Sequence, residues 1–224
     1  MTMQIRKFSH GSEIKATLLA VLIGLAVWCQ QARAAETDSI VVAGGCFWCV
    51  EADFEKVAGV QEVISGYTGG HTKNPTYDDV TGGDTGHYEA AKIIYDPAQV
   101  GPRRLYDLFF RSIDPLDAGG QFCDRGDSYR TAVFVSDPAK KKAARAAKAE
   151  AEKELGQEVV TPILPRETFY KAEDYHQDYY KGDDLVLRGF GLKTQAEAYE
   201  YYRDRCGRDE RVRELWGDDA PFAG

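Results

Sequence analysis

Apolar and polar positions along this chain of 224 residues switch between a strand-like and a helix-like period, and the switches mark its elements. Ser39-Ile40-Val41-Val42-Ala43 is a β-branched run that reads as a buried strand, broken by Gly44-Gly45. From Cys46 to Val57 the apolar residues Phe47, Val50, Phe54 and Val57 recur at helical spacing, and Gly59 closes that helix. Val60 to Tyr67 and Tyr88 to Tyr95 read as strands, the second ended by Asp96-Pro97. Between them lies a stretch rich in breakers: Gly69-Gly70, Asn74-Pro75 and the glycine-rich turn from Thr81 to Gly86. Pro102 starts a helix with the stripe Leu105, Leu108, Phe109 and Ile113. A loop from Asp114 to Asp127 leads to a strand over Tyr129 to Val135. Asp137-Pro138 then caps a long Ala/Lys/Glu helix ended by Gly156. Val159 to Leu164 is the last clear strand, and Glu197 to Cys206 a late helix. Strands and helices interleave without an internal repeat, which predicts one α/β (α+β) domain on a mixed sheet. Its long loops are functional candidates.

The first 34 residues follow another pattern. Arg6, Lys7 and Lys15 precede an apolar run from Ala16 to Trp28, and Ala32-Arg33-Ala34 follows. A basic region, a short apolar core and an A-x-A site describe a secretory signal peptide cut after Ala34. The run is short for a membrane span, which needs about 20 residues. The predicted organisation is a leader over 1–34, a linker over 35–38, a catalytic domain over 39–216 and a flexible tail over 217–224. The mature protein is expected to be periplasmic or secreted; the alternative is an uncut signal anchor facing the same side.

Composition narrows the function further. Losing the leader removes four basic residues and one acid, which takes the formal net charge from −8 to −11. Such a surface repels nucleic acid and anionic lipid. The cluster Lys140-Lys141-Lys142 is balanced by Glu150, Glu152 and Glu154 and reads as a solvated helix face. Four cysteines survive: Cys46, Cys49, Cys123 and Cys206. A domain of this size needs no staples, so redox work or one incidental bridge is favoured over a disulfide scaffold.

Gly44-Gly45-Cys46-Phe47-Trp48-Cys49 concentrates the chemistry. A strand, a glycine turn and a helix start set Cys46 where unpaired backbone N–H groups stabilise a thiolate, so its pKa is expected to fall. Gly45 lets another molecule approach the backbone, and Phe47-Trp48 offers aromatic faces to an apolar sulfur-bearing group. Cys46 and Cys49 make a C-x-x-C pair with three readings: a redox dithiol, half a zinc site, or a nucleophile with an incidental neighbour. Zinc needs a second ligand pair. Cys123 and Cys206 stand alone, and His71, His87 and His176 are scattered, so no metal is expected.

These residues, with others in order, carry a family resemblance. The segments Gly66-Tyr67-Thr68-Gly69-Gly70, Asn74-Pro75-Thr76-Tyr77, Thr85-Gly86-His87-Tyr88-Glu89-Ala90, Gln121-Phe122-Cys123-Asp124-Arg125-Gly126, Tyr129-Arg130 and Glu173-Asp174-Tyr175-His176-Gln177 follow the G-C-F-W motif. Together they resemble the A-type methionine sulfoxide reductases from about Ile40 to Trp216. The resemblance implies a two-layer mixed-sheet sandwich with a ferredoxin-like core. It implies Cys46 as the nucleophile on the sulfoxide sulfur and Glu89 as the acid that protonates its oxygen. Tyr77 and Tyr129 would hydrogen-bond that oxygen, Asp124 would order the site through water, and Gly45, Phe47 and Trp48 would hold the substrate, an S-sulfoxide free or in a protein. Such an acid must be neutral when substrate binds, which burial achieves by raising its pKa.

The sulfenic acid left on Cys46 condenses with a second thiol. Cys206, on a tail able to swing in, is slightly favoured over Cys49; Cys123 is expected to be a non-participating residue of the site wall. The resemblance implies no cofactor, electrons from a thioredoxin-like protein or a dithiol, and a monomer. Two other classes compete: a general thiol–disulfide oxidoreductase, which leaves Tyr77, Glu89 and Tyr129 unexplained, and a secreted binding module with inert cysteines.

Overall fold

The computed structural model describes residues 37–189 and 191–223. The expected leader lies outside them, and of the expected linker Asp38 is already in a strand. Among the described residues no helix is long and apolar enough to cross a membrane.

Strand β1 (Asp38–Gly44) leads into helix α1 (Phe47–Phe54), β2 (Val60–Thr68), the short α2 (Tyr77–Gly82) and β3 (Tyr88–Tyr95). Helix α3 (Pro102–Arg111), the small hairpin β4 (Gly120–Gln121) and β5 (Asp124–Arg125), and β6 (Thr131–Val135) follow. The chain continues through α4 (Pro138–Leu155), β7 (Ile163–Pro165) and β8 (Tyr170–Lys171). A second hairpin, β9 (Leu185–Arg188) and β10 (Gly191–Thr194), precedes α5 (Gln195–Arg205) and α6 (Arg208–Trp216). Six strands form one mixed sheet in the order β7-β6-β1-β3-β2-β8, in which only β6 and β7 pair in parallel. Its central four strands, with α1 crossing from β1 to β2 and α3 and α4 flanking β6, are the expected ferredoxin-like core.

The strand period of two divides the residues between the sheet's faces. Ile40 and Val42 of β1, Ala91 and Ile93 of β3, and Val133 and Val135 of β6 pack with Val50 and Phe54 of α1, Leu105 and Phe109 of α3, and Ala144, Ala147 and Ala151 of α4. The three alanines fall on one helix face, and their small side chains let α4 lie close to α3. The opposite residues, Val41, Ala43, Ala90, Ala132 and Phe134, form a smaller cluster under Leu164 and Phe169. Glu89 has the parity of Ala91 and Ile93, so it points to the helical side where β3 begins.

The helix signals act as expected at α4: Asp137 accepts from the Lys140 N–H, and Gly156 ends the helix at φ +63°. The structure departs from the sequence pattern elsewhere. Helix α1 stops at Phe54, and the strand expected over 159–164 shrinks to Ile163–Pro165. Tyr129 belongs to a 3-10 turn before β6 and not to the strand. Helices α2 and α6 and the β9–β10 hairpin were not anticipated. The segment after Trp216, expected to be a flexible tail, docks: Phe222 packs on Phe54 at 5.6 Å between ring centroids, and its carbonyl accepts from Arg203 at 3.2 Å.

Candidate active site

Cys46 occupies the N-cap of α1, delivered there by the Gly44-Gly45 turn. Gly45 holds φ +79°, and a Cβ there would lie 2.5 Å from Cβ of Gln121. The glycine is needed for this conformation and for close packing on β4. Gly45, expected to bind substrate, therefore packs against Gln121 and does not line the pocket. Gln121 is buried and fully engaged: it accepts from the Asp114 N–H and donates to the carbonyls of Asp114 and Gly120.

A pocket of about 60 Å³ opens at Cys46. Cys46, Phe47, Trp48, Tyr77, Glu89, Asp124 and Tyr129 all line it, together with Tyr202, which the sequence did not single out. Residues from five separate segments thus converge on one small volume. Glu89 is 1% exposed, and its carboxyl accepts the Phe47 N–H at 3.1 Å. Burial pushes its pKa up to about 8; Asp124 adds to the rise, while the Phe47 N–H and the Tyr129 hydroxyl oppose it. A carboxyl that is neutral at pH 7 can donate a proton, as the expected acid must.

Tyr77 and Tyr129 are hydrogen-bonded to each other beside Glu89, and burial holds both phenols protonated, Tyr77 at about 12. Tyr77 begins α2, whose N-terminus is fixed by a capping box between Thr76 and Asp79. Glu173 then accepts the Tyr77 N–H at 2.9 Å and the Tyr67 hydroxyl at 2.9 Å, tying α2 to the Glu173–Gln177 segment. Phe47 and Trp48 form the apolar side, with ring centroids 6.3 Å apart. Trp48 is itself stacked on Tyr179 at 3.8 Å with nearly parallel rings.

The cysteines depart from expectation in two ways. Cys46 and Cys49 are both free and buried, and they are hydrogen-bonded to each other. Burial, the Cys49 sulfur and the carboxyls of Glu89 and Asp124 push the Cys46 thiol well up, against the fall expected from its place at a helix N-terminus. The Cys49 thiol is pulled down instead, first by the hydrogen bond from Cys46 and then by Arg208 and Arg203. These opposite directions favour negative charge on Cys49 over Cys46, the thiol that lines the pocket.

The second departure is a disulfide between Cys123 and Cys206, with Cα atoms 4.9 Å apart. Cys206 is not on a swinging tail but at the C-cap of α5, and Cys123 is its partner, not a passive wall residue. Beside this bond the Tyr202 hydroxyl donates to the Asp124 carboxylate. Two neighbouring residues of the loop, Cys123 and Asp124, are thus cross-linked to two residues one turn apart on α5, Cys206 and Tyr202. The second link brings Tyr202 into the pocket. Its one sequence signal is its position a helical turn before a cysteine. Underneath, the buried Arg208 donates to the Gly44 carbonyl at 2.8 Å and the Ser112 carbonyl at 3.3 Å, holding the turn that presents Cys46.

Residues 38–217 match the family model described as peptide methionine sulfoxide reductase. A peptide methionine sulfoxide reductase of Caulobacter vibrioides is 50% identical over 185 residues, covering 82% of this chain and 88% of its own. One from Rhizobium meliloti is 45% identical over 210 residues, covering 92% and 98%. Among solved structures, reduced Mxr1 from Saccharomyces cerevisiae aligns with a TM-score of 0.62 at 33% identity, over 65% of this chain and 84% of that one. Methionine sulfoxide reductase A of Corynebacterium diphtheriae aligns at 0.59 and 30% identity, over 66% and 75%.

Proposed function

Since the chain belongs to the peptide methionine sulfoxide reductase family and reduces methionine sulfoxide by thiol chemistry, we propose that Cys46 and Glu89 carry the oxygen transfer and that Cys49 completes it. The observation that carries this reading is the convergence of the Cys46 sulfur and a neutral, buried Glu89 on one 60 Å³ pocket.

The methyl group of the sulfoxide lies against Phe47 and Trp48, and its oxygen meets the Tyr77 and Tyr129 hydroxyls. Cys46 passes its proton to the adjacent Cys49 sulfur as it attacks the sulfoxide sulfur. Glu89 protonates the departing oxygen, and the two phenols stabilise the charge that develops there. That oxygen leaves as hydroxide, which attacks the Cys46 sulfur and breaks its new bond to the methionine sulfur; the sulfoxide, having gained two electrons, leaves as methionine, and Cys46, having lost two, becomes a sulfenic acid. The Cys49 thiol then displaces the hydroxyl as water and forms a Cys46–Cys49 disulfide. Cys49 is preferred to Cys206 because it is free and in hydrogen-bonding contact, whereas Cys206 is bonded to Cys123. An N-cap cysteine and a cysteine three residues on make the dithiol arrangement of C-x-x-C redox helices.

An external dithiol supplies two electrons and two protons to reopen the disulfide; a thioredoxin-like protein suits this role. The leader pattern over 1–34 supports export, so the reductant would act outside the cytosol on a periplasmic or secreted monomer. No cofactor enters the scheme. The substrate is the S epimer, as the family resemblance implies.

Separated S and R epimers of a methionine sulfoxide peptide, assayed with dithiothreitol, test the activity: S is turned over and R is not. Equal rates on both would remove the stereochemical assignment. Peptide mapping after one turnover without reductant tests the resolving step, with a Cys46–Cys49 disulfide expected. A bond from Cys46 to Cys123 or Cys206 would overturn it.

A further inference from the structure

The reaction pocket cannot hold more than the tip of its substrate. At about 60 Å³ it has room for roughly the few heavy atoms of a methylsulfinyl group. Against it lies a second cavity of about 450 Å³, which shares Trp48, Tyr77 and Tyr202 as common walls. Its far side is formed by Tyr175, His176, Tyr179 and Ala198. A volume of that size falls in the range of dedicated ligand pockets.

The lining of this cleft is mostly aromatic. Trp48 and Tyr179 stack at 3.8 Å with 6° between their planes, and Tyr202 stands edge-on to Trp48 at 6.3 Å. Tyr175 is 57% exposed and forms its outer lip. Such faces favour aliphatic and aromatic groups and penalise charge. Free methionine sulfoxide carries an ammonium and a carboxylate close behind the sulfoxide, whereas a residue within a polypeptide carries neither.

We propose that this cleft is a specificity subsite for an apolar side chain of the polypeptide substrate, two residues away from the oxidised methionine. The proposal rests on the reading of the 60 Å³ pocket as the place of oxygen transfer. The position follows from backbone geometry. In an extended substrate, neighbouring side chains point to opposite faces, so the residues beside the sulfoxide turn away from the enzyme. The next residue along returns to the same face at roughly 7 Å, and so is the one that can enter a cavity sharing a wall with the reaction pocket. Tyr202 and Ala198 come from α5, so the segment cross-linked through Cys206 also shapes this recognition.

The test uses capped peptides with one S-sulfoxide in a glycine–serine background, and leucine placed in turn at each of the two positions on either side. The wild-type enzyme, assayed with dithiothreitol, should show a gain in kcat/KM of about tenfold or more for leucine two residues away, on one side. Leucine at the adjacent positions should change it less than threefold. A second arm uses Ala198→Trp, which fills the cleft; there the ratio of the best leucine peptide to the all-glycine peptide should fall to near one. A flat wild-type series, a gain confined to the adjacent positions, or a ratio preserved in Ala198→Trp would each overturn the proposal. The wild-type series decides even if that variant does not fold. Turnover of the glycine peptide separates the two layers: its presence with a flat series defeats the subsite alone, and its absence defeats the reading beneath.

Discussion

Replacing Glu89 by Gln should make the protein more stable and less active, and the stability gain should depend on pH. Glu89 titrates at about 8 in the folded chain against an ordinary value of 4.5, chiefly because it is buried. Below pH 4.5 the carboxyl is protonated in both folded and unfolded chains, and its full contribution to stability is present. Between 4.5 and 8 the unfolded chain releases the proton while the folded chain retains it. Stability is therefore lost at about 1.4 kcal/mol per pH unit as pH rises towards the folded value. At pH 7 the accumulated cost is about 3 kcal/mol as an upper bound. Glutamine cannot ionise, and its side-chain oxygen still accepts the Phe47 N–H, so the variant escapes this cost. At about 2–4 °C per kcal/mol for a domain of this size, Tm should rise by up to roughly 10 °C at pH 7. At pH 5 the gain should shrink to a small fraction of that. The assay is thermal unfolding of both proteins at pH 5 and pH 7, with the cysteines in the same redox state, beside single-turnover methionine formation. The turnover should slow by about 10²–10⁴ because the acid is gone. A Tm difference equal at the two pH values, or a variant less stable at pH 7, would refute the claim that burial holds this carboxyl neutral.

Wild-type single turnover should fall about tenfold per unit above pH 8 as Glu89 ionises; a rate undiminished to pH 9.5 would remove Glu89 as the proton donor. Gly45→Ala should cost about 2–4 kcal/mol in urea unfolding, from the left-handed backbone and the close approach to Gln121; a loss under about 0.5 kcal/mol would show that the turn relaxes freely. Arg208→Met strands the Gly44 carbonyl and removes a cation from Cys49. It should destabilise the fold by about 1–3 kcal/mol and shift alkylation of Cys49, followed by mass spectrometry, to higher pH; an unmoved alkylation profile would contradict the charge assignment within the pair.

The parts of the site visible in the chain and those hidden from it differ in kind. Strands β1 and β3 were legible because both faces or one face of each are buried, and burial imposes a pattern on consecutive residues. The Gly44-Gly45 break and the cap at Asp137 were legible because backbone conformation there is a local property. By contrast, α2 spans six residues and the β9–β10 hairpin four on each strand, too short to declare a period. The leucines of the hairpin, Leu185, Leu187 and Leu192, are largely exposed, which inverts the usual inside–outside signal. Helix α6 is so polar that its buried Arg208, Val212 and Trp216 leave only a faint stripe.

The amino-acid order alone determined the main strands, the α/β class and the convergence of motif residues around Cys46, since each is written in neighbouring side chains or in a family pattern. Folding in three dimensions decided which thiol keeps its proton, which cysteines are bonded, and that Tyr202 belongs to the pocket. Those outcomes depend on burial and on distances between residues as far apart as Cys123 and Cys206, 83 positions in sequence yet 4.9 Å between Cα atoms. The reason is physical: a pKa or a covalent partner is set by what surrounds a group in space, and local chain pattern does not specify those surroundings.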